Sequence, residues 1–238
     1  WKAGGQPVKL MLTRAESFIQ ITKHAATITL RTGVNRNGVL TARQATIYWN
    51  AGAYSDTSPI VAKNGAITCF GPYRLSHAWA DSYAIYTNLP PAGSYRSPAV
   101  LDVTWAGESQ MDIIAYEMGF DPIEFRRQNV LVDGDVYVTG ETMHDLHYKT
   151  LIETAVKGIG WNSSVDRENS NRSGRGIAVA IKSTTTPSTS KAEIRLESDG
   201  CCNLLVSTVE LGQGSKIALS QIAADALGIP IDRIRTVD

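Results

Sequence analysis

Along the chain the spacing of apolar positions switches repeatedly between two residues and three to four, and each switch marks an element. Pro7 to Leu12 reads as a strand, and Ala25 to Thr32 alternates in the manner of a half-buried one. A second apolar run covers Val39 to Trp49. Between these runs Asn35-Arg36-Asn37-Gly38 supplies turn chemistry, with Asn37-Gly38 suited to positive φ, so the pair predicts a β-hairpin. Pro59 to Cys69 predicts a short helix, and His77 to Thr87 a further strand carrying Trp79, Tyr83 and Tyr86. After the break at Pro90-Pro91-Ala92-Gly93 the period lengthens. Met111, Ile114, Ala115 and Met118 fall on one face of a long helix that Gly119 ends. Asp121-Pro122-Ile123-Glu124 then offers an N-cap aspartate, a first-turn proline and a capping-box glutamate, which predicts helix through Asn129.

From Val130 to Met143 the pattern is polar and irregular, and Tyr148 to Ile159 predicts another helix. Residues 162–173 are dense in Asn, Ser, Asp, Glu and Arg, as an exposed linker would be. The chain therefore divides into a first part over 1–161, a linker over 162–173 and a second part over 174–238. Gly176 to Ile181 and Ala192 to Leu196 bracket a Ser/Thr-rich loop. The turn Ser198-Asp199-Gly200 leads to an apolar strand from Asn203 to Val209. Leu219, Ile222, Ala223 and Ala226 recur at the spacing of one helical face, and Gly228 then Pro230 stop that helix. Strands and helices in this order predict an α+β fold with mixed sheets and packed helices. No internal sequence repeat stands out.

Composition narrows the function classes. With 43% hydrophobic residues the chain can form a real core. The 23 basic residues balance 23 acidic ones, which points to neither a nucleic-acid surface nor a membrane surface. There is no apolar run long enough to span a bilayer and no signal-peptide pattern. Cys69, Cys201 and Cys202 make no disulfide framework, which suits a reducing, cytoplasmic compartment, and three cysteines do not hold an iron–sulfur cluster by themselves. The chain opens at Trp1 inside a Gly-Gly-Gln-Pro loop and closes at Asp238 where a strand should be forming, the expectation for an internal fragment.

Two loops carry candidate chemistry. In Ser207-Thr208-Val209-Glu210-Leu211-Gly212-Gln213-Gly214-Ser215, a strand breaks into two glycines and then into a helix. Gly212 and Gly214 let a ligand approach the main chain. Ser215 is the expected N-cap, and the first-turn N–H groups with the helix dipole favour an anion or an electron-rich oxygen. Gln213 adds an amide at the apex. A plain strand-to-helix connection is the other reading of the same residues. In Gly93-Ser94-Tyr95-Arg96-Ser97-Pro98, Arg96 stands ahead of a helix start as a fixed planar cation, and it either faces an anion or neutralises Asp102 or Glu108 behind it. His144 and His147 have no closed ligand set around them and read as surface loop.

Glu210-Leu211-Gly212-Gln213-Gly214, its helix, and Leu227 to Ile234 resemble the Glu-x-Gly-Gln-Gly segment of the molybdopterin-binding subunit of molybdenum hydroxylases, the xanthine dehydrogenase and aldehyde oxidase family. Gln6 to Leu10, Gly71-Pro72-Tyr73, Pro90 to Arg96 and Gly119 to Asn129 are also similar to that family, in its order and at about its spacing. The resemblance implies that Gln213, flanked by Gly212 and Gly214, contacts the molybdenum cofactor, and that Arg96 lies close to the metal. None of these residues coordinates the metal directly. The family's catalytic base is a glutamate expected beyond Asp238, so Glu210 is not read as that base and no catalytic residue is assigned within this chain.

Two departures bear on substrate. Ser97-Pro98-Ala99 stands where the family commonly has Gly-Phe-Gly, so Pro98 replaces an aromatic wall. Asn64 stands about where purine-oxidising members have an arginine, with Lys63 beside it. A neutral aldehyde or another N-heterocycle then becomes the expected small-molecule substrate in preference to xanthine. By resemblance the complete subunit uses water as the oxygen source and passes electrons to iron–sulfur clusters and FAD on partner domains or subunits. The competing class is a non-catalytic relative that keeps the fold and binds no molybdenum.

Overall fold

The computed structural model describes residues 2–161, 174–182 and 189–237. The chain forms two compact units, Trp1–Lys182 and Ser183–Asp238.

In the first unit, Thr13 caps helix α1 (Arg14–Gln20) with a complete capping box, its side chain bonded to the Glu16 amide and Glu16 bonded back. The strand expected over Pro7 to Leu12 does not form. Those residues are exposed and have no neighbouring strand among the described residues, so nothing satisfies an extended backbone there. A short strand β1 (Thr22–Lys23) follows, then the hairpin β2 (Ala26–Val34) and β3 (Leu40–Gly52). Asn35 sets the hairpin turn by accepting from the amides of Asn37 and Val39, and Gly38 supplies a φ of 77°. The strands pair antiparallel from Ala26↔Trp49, with the register shifting at Gly33/Val34.

Helix α2 (Ser58–Thr68) carries the chain across to β4 (His77–Tyr86), which pairs parallel with β3 on its other side. The sheet order is therefore β2-β3-β4, a mixed sheet as expected. On β3 burial alternates: Arg43, Ala45, Ile47, Trp49 and Ala51 face the core. Ala45, Ile47 and Trp49 pack with Val61 and Ala62 of α2 and with Val103. The buried Trp49 N–H donates to Ser82 Oγ at 3.0 Å, and Ser82 in turn donates to the Ala62 carbonyl at 2.8 Å.

Strand β5 (Ala92–Gly93) pairs with β1 and leads into the long helix α3 (Val100–Met118), which ends at Gly119 with a φ of 72°. Met111 and Ala115 are buried as the periodicity predicts, while Met118, the last residue of the helix, is 38% exposed. Helix α4 (Pro122–Asn129) is capped by Asp121, whose carboxylate accepts from the amides of Ile123 and Glu124. The Glu124 side chain does not close the expected capping box and pairs with Arg127 at 2.8 Å. Helix α5 (Tyr148–Gly158) adds Ile152 to a second cluster with Leu40, Tyr73, Met111, Phe125 and Val130.

The polar stretch 162–173, expected as the linker, lies outside the described residues. Gly176 to Ile181, placed by the sequence at the opening of the second part, forms no strand. Ile177 and Val179 instead pack on the second cluster of the first unit, and the Val179 amide donates to Glu108 at 3.0 Å.

The second unit repeats the topology of β2-β3-α2-β4. Strands β6 (Ala192–Leu196) and β7 (Cys202–Val206) pair antiparallel, helix α6 (Ser215–Leu227) crosses over, and β8 (Ile234–Val237) pairs parallel with β7. β7 stops at Val206, short of the expected Val209. Ala223 and Ala224 of α6 are buried with Cys202, Leu204 and Ile234, whereas Ile222 is 65% exposed. The buried stripe thus lies beside the face that the apolar spacing predicted.

Candidate functional site

The glycine loop fills the connection from β7 to α6. Gly212 has a φ of 94° and Gly214 a φ of 77°, a region that costs residues with a Cβ about 1–2 kcal/mol. Nothing lies within 4 Å of where a Cβ would sit at either position. The loop therefore presents bare, approachable backbone.

Its shape comes from two side chains. Glu210 folds its carboxylate back under the turn: Oε1 accepts from the Gly212 amide at 2.7 Å and the Gly214 amide at 3.0 Å, and Oε2 from the Ser215 hydroxyl and the Lys216 amide, both at 3.2 Å. The Gly214 and Lys216 amides lead in pulling its acid down to about 2. First-turn donors expected to face an outside anion are thus engaged by the chain's own carboxylate. The N-cap is Gly214 rather than Ser215, whose hydroxyl is spent on Glu210 and Val209. Gln213 closes the loop from the other side. Its Nε2 donates to the Val209 carbonyl at 2.7 Å and to Ser215 Oγ at 3.2 Å, and its Oε1 accepts from the Leu211 amide at 2.6 Å.

The second candidate loop, Ser94 to Ala99, joins β5 to α3. Its base is fastened to the end of β3 and the start of α2: Ala53 donates to the Leu89 carbonyl, a Cβ at Gly52 would collide with the Pro90 carbonyl, and Ser94 Oγ donates to Thr57 Oγ1 at 3.0 Å. Arg96 is exposed, with its guanidinium over the Tyr95 ring at 5.9 Å. Both carboxylates that could have neutralised it are taken, Asp102 by Lys23 at 2.5 Å and Glu108 by Arg126 at 2.8 Å. Among the described residues Arg96 has no carboxylate partner. Ser97 has a φ of 55° and Ala99 a φ of 70°, and the Ser97 carbonyl accepts from the Val100 amide at 3.1 Å. Pro98 and Ala99 are thus the central residues of a turn whose third position favours glycine. The loop keeps a glycine-type path without glycines.

Pro98 is half-buried in that turn. Asn64 is half-buried on α2, its carbonyl accepting from Thr68 Oγ1 at 2.7 Å, with Lys63 exposed beside it. Val61 and Ala62 on α2 share one cluster with Ala99 and Val103, so the helix bearing Asn64 and the base of the Arg96 loop rest on the same core. Gln213, Gly212 and Gly214 belong to the second unit. His144 is exposed, and His147 is exposed and bonded to Asp145 at 3.0 Å. Among the described residues no group of three or more His, Cys, Asp or Glu could hold a metal ion, and no helix is long and apolar enough to cross a membrane.

Glu210 escaped the sequence reading as a shaping residue. The available signal was an acidic residue two positions before the first glycine of Gly-x-Gly at a helix start.

A family model described as molybdopterin cofactor-binding domain matches residues 1–130, and a second of the same description matches 154–238. The chain belongs to the molybdopterin cofactor-binding domain family. It is 33% identical over 248 residues to a xanthine dehydrogenase molybdenum-binding subunit of Escherichia coli O157:H7, covering 99% of this chain and 33% of that protein. A nicotinate dehydrogenase large molybdopterin subunit of Eubacterium barkeri is 32% identical over 64% of this chain and 36% of its own length. Quinoline 2-oxidoreductase of Pseudomonas putida 86 shares the fold, with a TM-score of 0.85 at 24% identity over 99% of this chain and 33% of that one. The chain thus spans about a third of the length of these relatives.

A molybdopterin-family cofactor fits the residues present. Each unit contributes by itself: in the second, the open space at Gly212 and Gly214 admits close approach to main chain, and in the first, Arg96 is a guanidinium with no carboxylate partner among the described residues.

Proposed function

We propose that this chain supplies binding and orienting residues to the catalytic subunit of a molybdenum hydroxylase that oxidises a neutral aldehyde or N-heterocycle with water as the oxygen source. The observation that carries the reading is the loop at Gly212 and Gly214, shaped by Glu210 and Gln213, with open space where a Cβ would stand at either glycine. When bound, the cofactor supplies the two-electron oxidation. The chain's own residues bind it: Gly212 and Gly214 give it room, Gln213 fixes the loop that it meets, and Arg96 offers fixed N–H donors and a positive charge to an oxygen or a phosphate.

The substrate class follows from charge and shape. Asn64 carries no charge with which to offset charge developing on a purine, and Pro98 cannot stack as a phenyl ring does. Iron–sulfur and FAD groups on partner domains or subunits would take up the electrons. Cys69, Cys201 and Cys202 are free and buried and build no disulfide framework, which supports a reducing, cytoplasmic setting.

Arg96→Ala in the complete subunit tests the reading. Losing a charge-assisted contact worth about 1.5–3 kcal/mol should weaken cofactor retention by roughly one to two orders of magnitude. The melting temperature of the cofactor-free protein should hold, because Arg96 is exposed and supports no core. Unchanged molybdenum content with unchanged turnover would sink the assignment and favour a non-catalytic relative.

A further inference from the structure

His24 is 4% exposed and lies outside both candidate loops. Its Nε2 is 2.8 Å from Oγ of Ser58, the fully buried first residue of α2. It directly follows β1, whose Thr22 and Lys23 pair with Ala92 and Gly93, the residues that launch the Arg96 loop. The Gly93 carbonyl interacts with the ring. Next to Ser58, Thr57 receives the hydroxyl of Ser94 at 3.0 Å. A Cβ at Gly93 would meet the Ile21 side chain, so Ile21 packs directly on the root of the loop. One imidazole thus sits where β1, the root of the Arg96 loop and the start of α2 converge.

We propose that His24 is a positioning residue which, in its neutral form, holds the root of the Arg96 loop against the start of α2 and loosens it on protonation. The inference rests on the reading of Arg96 as a cofactor-facing residue. A neutral ring accepts the Ser58 hydroxyl proton at Nε2. A protonated ring has no acceptor left, and among the described residues the Ser58 hydroxyl has no other partner, so its proton would be stranded in a buried place. Burial lowers the imidazole's pKa; the Gly93 carbonyl, Asp56 and Asp102 work against burial, and Lys23 works with it. A depressed histidine contributes in full above its ordinary value of about 6.5 and loses that contribution as the pH falls through the folded-state value.

The test is an NMR titration of the full, isotope-labelled chain without cofactor, from about pH 8 to about pH 5. The His24 ring and the amides of residues 93–99 should titrate with one shared midpoint below the ordinary histidine value. His24→Gln, whose amide oxygen keeps an acceptor toward Ser58 but does not titrate in this range, should leave the loop signals at their high-pH positions throughout. Ser58→Ala should raise the His24 midpoint and move the loop signals toward their acid positions, while the α3 amides stay in place and report an intact fold. Loop signals that ignore the His24 titration, or a midpoint unmoved by Ser58→Ala, would overturn the proposal. Because the readout needs no cofactor, it is decided independently of the Arg96→Ala result.

Discussion

Glu108 Oε2 lies 2.8 Å from Arg126 Nε, with Glu108 6% and Arg126 0% exposed, so water reaches almost none of this ion pair. The carboxylate also accepts the Tyr73 hydroxyl at 2.6 Å and the Val179 amide at 3.0 Å, and Arg126 reaches the Glu108 and Pro122 carbonyls and Asp112. Burial opposes both charges, and only this dense bonding offsets the cost. Glu108→Ala leaves a buried guanidinium without its main partner. The unfolding free energy should fall by about 3–5 kcal/mol in a urea titration, and a loss below about 1 kcal/mol would mean that the site behaves like a surface pair.

Glu210 makes the glycine loop sensitive to acid. Its carboxyl is held down to about 2 from an ordinary 4.5 by the amides it accepts. A depressed acid contributes above its unfolded value and loses that contribution as pH falls through the folded one. Amide exchange at Gly212, Gly214 and Lys216 should therefore speed up, after correction for intrinsic rates, as pH drops from about 4.5 toward about 2. Glu210→Gln should show faster exchange already at neutral pH; equal protection in the two proteins would show that the carboxylate does not shape the loop.

Ser97 is exposed, carries a φ of 55° and makes no side-chain hydrogen bond among the described residues. Left-handed backbone costs a residue with a Cβ about 1–2 kcal/mol, part of which glycine gives back through a freer unfolded chain. Ser97→Gly should raise stability by about 0.5–1 kcal/mol. The same change at Ala99 also empties a buried methyl site, since Ala99 is 2% exposed, and should gain less. Calorimetry on both variants checks the order.

Gly65 sits inside α2, where alanine is ordinarily the better helix former by about 1 kcal/mol. Here a Cβ would come 2.5 Å from Trp49 Cζ2, on a ring that is 0% exposed and anchored through Ser82. Overpacking costs about 1–3 kcal/mol, so after the helix gain Gly65→Ala should be a net loss of up to about 2 kcal/mol. A higher melting temperature would show that the indole can step aside.

Features written within a few residues were legible in the sequence. Asn35 and Gly38 set the hairpin turn, Asp121-Pro122 started α4, and Gly119 and Gly228 ended their helices, because caps and turns are closed by groups no more than about one helical turn apart. The Thr13-x-x-Glu16 box that starts α1 is equally local, while Pro7 to Leu12 has strand composition but, among the described residues, no strand to pair with.

Sequence alone determined the alternation that buries one face of β3, the helix starts and stops, and the two loops with their candidate residues. Only the tertiary structure decided that β4 lies parallel to β3 and that the second unit repeats the same hairpin, helix and parallel strand. It also decided Arg96. Asp102 and Glu108 were both available to it along the chain, yet one went to Lys23 and the other to Arg126. The reason is physical: strand order and charge partners depend on which distant segments the packed core brings together, and the period of apolar residues specifies which face is buried but not what covers it.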